Sequence, residues 1–134
     1  METVTIPGLE PRNVFADRLH WVLGLATVLA GGITGLMGEE GEDDEGSAHH
    51  VMGYVSAGLA AATLATGFWA HHGDVGPSDG LSPANVHALL GIAGGIMMAA
   101  TPFVADFGGG EAHAALGIGG GLLMGIAVVW PLVF

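Results

Sequence analysis

Apolar residues fill four stretches of helix length along this chain, at about 15–37, 49–70, 83–104 and 111–133, and the polar residues gather between them. About 20 apolar residues suffice for a helix to cross the hydrocarbon of a bilayer, so each stretch predicts one membrane span. Charges sit only at the mouths of these runs, as Asp17, Arg18 and Glu111 do, while the span centres carry nothing more polar than Ser and Thr. The intervening segments read as turns: an acidic run Glu39-Glu40-Gly41-Glu42-Asp43-Asp44-Glu45, a Gly- and Pro-rich connection at 72–83, and Ala105-Asp106-Phe107 followed by three glycines. Ser82 followed by Pro83 is a cap and first-turn pair for the third helix. Residues 1–14, with Pro7 and Pro11 and no periodicity, read as an extended arm before a single domain at 15–134. Short connections between four spans force an all-α transmembrane bundle running up-down-up-down, with helices 1 and 3 on one diagonal and helices 2 and 4 on the other.

Composition agrees with a membrane protein and narrows its partners. Half of the 134 residues are apolar (51%) and 25 are glycine. Two basic residues stand against 13 acidic ones, for a formal charge of −11, which argues against binding nucleic acid and leaves membrane lipid as the surrounding medium. The absence of cysteine excludes disulfides, thiolate metal sites and cysteine-linked haem within the chain. Arg12 and Arg18 flank the first span while the acidic run lies beyond it, so the positive-inside bias puts the N-terminus in the cytoplasm and the chain in the cytoplasmic membrane as a multi-pass protein. In that topology Trp21, Trp69 and Trp130 share one interface.

The chemistry lies in histidine. Each span opens on the same pattern, a histidine, then Leu or Met three residues on and glycine four on: His20…Gly24, His49…Gly53, His87…Gly91 and His113…Gly117. The steps from His20 to His87 and from His49 to His113 are 67 and 64 residues, so the chain reads as a duplicated helical hairpin. His20 and His87 fall at one end of the bundle on one diagonal, and His49 and His113 at the other end on the other. Two imidazoles at equal depth on opposed helices are what a flat macrocycle in a bundle core requires of its axial ligands. Glycine one turn beyond each ligand, helped by Gly94, Gly120 and the Gly31, Gly32 and Gly35 group, would leave room for its ring. These positions predict two haem b groups stacked along the membrane normal.

This arrangement resembles the cytochrome b561 family, whose four-helix core holds two b haems through histidines on alternate helices. The resemblance spans residues 15–134 and implies that His20 and His87 ligate the cytoplasmic-side iron, and His49 and His113 the outer one. Family members commonly add peripheral helices and a basic ascorbate site. This chain has no lysine, so the resemblance implies an electron-transferring core within a larger redox complex or beside a quinone pool, not a stand-alone ascorbate oxidase.

Other readings of the same residues are a (bacterio)chlorophyll-binding subunit, for which one axial histidine per pigment would do, and a structural accessory subunit whose glycines only let helices pack closely. A metal-ion transporter is disfavoured because the span centres lack ionisable groups. His71 shares the face of His49 and reaches the depth of His20 and His87, so it is a candidate neighbour of that site, as an alternative ligand or a hydrogen-bonding group. Arg12 and Arg18 are candidates to pair with haem propionates. His50 and His72 lie one position further round the helix and are expected to meet headgroups or a neighbouring subunit.

Overall fold

The computed structural model describes residues 13–37, 48–107 and 109–134. Arg12, the rest of the arm and the acidic run at 39–45 lie outside the described residues. Four long helices make up the molecule: α1 (Val14–Leu36), α2 (Ala48–His71), α3 (Pro83–Asp106) and α4 (Gly110–Val133). All four are long and apolar enough to span a membrane. Their limits fall within two residues of those read from hydropathy. Val14, assigned to the arm from the sequence, is instead the first residue of α1, because the Asn13 side chain accepts a hydrogen bond from Ala16 N at 3.1 Å and caps the helix there. Ser82 caps α3 by accepting from Asn85 N, with Pro83 in the first turn.

The connection between α2 and α3 is held by one side chain. Asn85 Nδ2 donates to the carbonyls of Gly76 and Gly80, both at 2.8 Å, while its Oδ1 accepts from Gly76 N. This ties a single turn at Pro77–Asp79 back onto α3 and fixes the start of the helix that carries His87.

The helices form an antiparallel bundle in which α1 packs on α2, α2 on α3, α3 on α4 and α4 on α1, leaving α1/α3 and α2/α4 as diagonals. Small residues point inward and large ones outward. Ala16, Ala60 and Ala127 are fully or almost fully buried, whereas Leu29, Ile96 and Leu122 are more than half exposed. In lipid there is little to gain from hiding leucine, and close backbone approach decides which side faces in. Met98 and Met124 fill the space left between small neighbours on Ala60.

The two hairpins close by different means. Between α1 and α2, Thr27 and Thr63 hydroxyls meet at 2.9 Å and Thr34 and Ser56 hydroxyls at 3.2 Å. Between α3 and α4 the backbones themselves touch. A Cβ on Gly94 would lie 2.7 Å from Met124 N, and one on Gly120 would lie 2.9 Å from Met98 N. Gly94 and Gly120, read from the sequence as clearance for a macrocycle, are therefore the contact that lets α3 and α4 approach. Gly31 is likewise covered, by the tip of Met98.

Candidate functional site

The bundle brings its histidines together in two groups. At the end where α1 begins, the His20 and His87 rings approach across the α1/α3 diagonal with centroids 5.9 Å apart and planes at 88°. At the other end, His49 and His113 approach across the α2/α4 diagonal, also at 5.9 Å, with planes at 63°. All four rings are half-buried. Metal–imidazole nitrogen bonds of about 2 Å place the centroids of two rings on opposite sides of one ion at about 6 Å.

Each of these histidines is oriented by the backbone of its hairpin partner. His20 Nδ1 lies 3.1 Å from Thr63 O on α2, and His49 Nδ1 on α2 lies 3.0 Å from Thr34 O on α1. The second hairpin repeats the exchange, with His87 Nδ1 2.8 Å from Ala127 O and His113 Nδ1 3.0 Å from Thr101 O. A carbonyl oxygen only accepts, so each Nδ1 carries a proton, which in the neutral imidazole leaves the lone pair on Nε2. A histidine that donates its second ring N–H to a backbone carbonyl is the usual form of a metal-ligating histidine, because that bond sets both tautomer and ring angle.

The four acceptors follow a rule that histidine-based reading of the sequence misses. Fourteen residues separate His20 from Thr34, His49 from Thr63, His87 from Thr101 and His113 from Ala127. Fourteen residues are close to four helical turns, so each helix offers an imidazole near its start and an acceptor carbonyl on nearly the same face near its end. In three helices the acceptor is threonine, and its hydroxyl bonds back to the carbonyl four residues earlier. The same fourteen residues separate the two ends by about 20 Å along the bundle axis. The visible signal was this recurrence of threonine, which becomes meaningful only once the hairpin partner is known.

A cavity of about 1040 Å³ opens at the first end, with His20, His71, His87, Gly24, Gly67 and Gly91 on its wall. Its size is that of a site for a large organic ligand. The motif glycines differ in what surrounds them. Nothing lies within 4 Å of a Cβ built on Gly53, and only Ala127 Cβ, at 3.9 Å, on Gly91. Gly24 packs on Val128 and Thr63, and Gly117 on Thr101, both in ordinary contact from 3.4 Å. The glycine pressed against a histidine lies outside the motif: a Cβ on Gly67 would sit 2.7 Å from His20 Cε1. Gly67 is what allows the His20 ring to turn toward Thr63.

His71 joins the first-end group, its ring centroid 5.3 Å from that of His20 and 6.3 Å from that of His87. Its Nε2 lies 3.3 Å from Asp17 Oδ1 and its Nδ1 3.2 Å from Asp74 Oδ2, so both nitrogens have carboxylate partners. Arg18 lines the same cavity. At the second end His50 stacks near Tyr54, whose hydroxyl donates to Asp106 across the α2/α3 groove. His72 is exposed and donates from Nδ1 to Phe68 O. Among the described residues, no group of three or more His, Cys, Asp or Glu side chains is arranged to hold a bare metal ion. No protein-family model, curated protein or solved structure matches the chain.

Proposed function

We propose that this chain is a membrane-embedded b-type cytochrome, similar to the dihaem core of the cytochrome b561 family, that carries electrons between two bis-histidine haem b groups at opposite ends of the bundle. The observation that carries this reading is the pair of imidazole couples, each spanning a diagonal at 5.9 Å and each ring held through Nδ1 by a backbone carbonyl. The two imidazoles across each diagonal, with His71 taken up by Asp17 and Asp74, are too few for a bare ion in a structural site, which takes four protein ligands, but they would complete a haem whose porphyrin supplies the rest.

The residues present fit that group. In the neutral form each ring would offer its Nε2 to the iron, the first-end cavity has the volume of a large cofactor site, Gly53 meets nothing within 4 Å one turn beyond His49, and Gly91 meets only Ala127 Cβ at 3.9 Å. When bound, haem iron supplies reversible one-electron exchange. His20 and His87 would hold the first-end iron, and His49 and His113 the second. The carbonyls of Thr63, Ala127, Thr34 and Thr101 fix ring angle and increase imidazole basicity. The apolar residues of the first-end wall, such as Val22, Leu64 and Ile92, would limit water there, and Arg18, on the rim of that cavity, is placed to pair with a carboxylate. With ionisable groups confined to the two ends, the bundle moves electrons without a proton path through its centre.

By the positive-inside rule the first end faces the cytoplasm. The electron partners are other redox subunits or a lipid-soluble quinone. Purified protein is expected to show a reduced-minus-oxidised b-type absorption spectrum and about two haems per chain, given two axial pairs. A colourless protein, or one with chlorophyll absorption alone, overturns the proposal.

A further inference from the structure

Three of the four histidine anchors are threonine carbonyls, and the exception is Ala127. Four residues after it in α4 stands Pro131, which has no N–H to offer the carbonyl of residue i−4. Ala127 O thus lacks the intrahelical donor that an ordinary helix supplies, and His87 Nδ1 takes its place at 2.8 Å, the shortest of the four anchoring bonds. The contrast with the opposite ligand is direct. At the corresponding place in α2 stands Gly67, which retains its N–H, and Thr63 O also receives the Thr66 hydroxyl at 3.1 Å while holding His20 at 3.1 Å.

We infer that Pro131 is a positioning residue for His87: by removing one backbone donor it dedicates the Ala127 carbonyl to that imidazole and makes His87 the more strongly polarised ring of the first-end pair. A ring N–H held by an unshared acceptor has more imidazolate character and is a stronger electron donor to a metal. The part of this inference that concerns the iron rests on the haem reading above, whereas the hydrogen bond itself does not. Pro131 is exposed and stands on the wall of the first-end cavity, so replacing it by alanine, the best helix former, removes no core packing, and the cofactor-free measurement separates the hydrogen bond from any change in the wall.

The test is Pro131→Ala in the full chain, with Pro102→Ala as the control, since Pro102 also interrupts a helix but lies in α3 away from the Ala127 carbonyl. In detergent-solubilised protein stripped of cofactor and labelled with 15N-histidine, the Nδ1 proton of His87 is expected to be the most deshielded of the four. In Pro131→Ala it should move upfield and exchange faster, by up to about fivefold, the bound set by losing one whole net hydrogen bond. His20, His49 and His113 should be unchanged, and Pro102→Ala should leave His87 as it is. In haem-loaded protein the same variant should raise the reduction potential of the first-end haem and leave the second unchanged. An unaltered His87 Nδ1 resonance and exchange rate in Pro131→Ala overturns the inference. Wild-type protein that binds no haem overturns the cytochrome reading instead, and the imidazole measurement still decides the role of Pro131.

Discussion

His20 on α1 donates its Nδ1 proton to the main-chain oxygen of Thr63 on α2, and the side chain of the same Thr63 bonds to Thr27 back on α1. One residue therefore closes the first hairpin with its hydroxyl and orients a histidine with its backbone. The two roles are separable by mutation, since only the hydroxyl can be removed. Thr63→Val is expected to weaken the α1/α2 contact by about 0.6 kcal/mol, and at most ~1.7 kcal/mol, as interhelical hydrogen bonds in membranes do. It should leave the orientation of His20 intact, so unfolding in mixed micelles shifts while the absorption spectrum does not. A spectrum lost together with stability would contradict the separation.

Gly67 and His20 are the tightest side-chain relationship at the first end, with 2.7 Å between a would-be Cβ and the ring. Gly67→Val should expel the imidazole from its place and abolish haem binding at that end, with about 1–3 kcal/mol of overpacking cost. The second-end haem, about 20 Å away along the axis, should survive. Haem content per chain, read by absorbance of the reduced protein, is expected to fall by half.

His113→Ala makes the complementary change. It should remove the second-end haem alone, whereas His20→Ala removes the first, and the two singly loaded proteins should differ in midpoint potential. Equal loss of both haems from either variant would argue against separate diagonal sites.

His71 touches both His20 and His87 but holds a carboxylate on each nitrogen. With a carboxylate on each side, the ring has neither nitrogen turned free toward the centre between His20 and His87. His71→Phe is accordingly expected to keep about two haems per chain, with the first-end axial-ligand signature in electron paramagnetic resonance unchanged. A first-end haem lost or converted to high spin would instead make His71 a ligand.

The glycines of α4 should divide sharply. Gly120→Ala must push against Met98 N at 2.9 Å and is expected to cost about 1–3 kcal/mol as overpacking. Gly121→Ala meets nothing within 4 Å and should stabilise by roughly 0.5–1 kcal/mol through helix propensity. Equilibrium unfolding of the two variants in the same micelle checks both signs.

Much of this protein was legible in one dimension. Four apolar runs bounded by charge and glycine defined four helices to within two residues, because in a membrane every backbone group must be satisfied inside its own segment. The fourfold His-x3-Gly pattern, together with short connections, was enough to assign two histidines to each end and to each diagonal. The tertiary structure decided what each glycine and threonine is for. Gly94 and Gly120 look like Gly53 and Gly91 in sequence, yet the first two are pressed against backbone, whereas Gly53 meets nothing within 4 Å and Gly91 only a side-chain methyl at 3.9 Å, a difference that depends on where neighbouring helices cross. The anchoring carbonyls of Thr63, Thr34, Ala127 and Thr101 could not be read at all from side-chain identity, since every residue has a carbonyl. Only the approach of the partner helix selects which of them meets an imidazole.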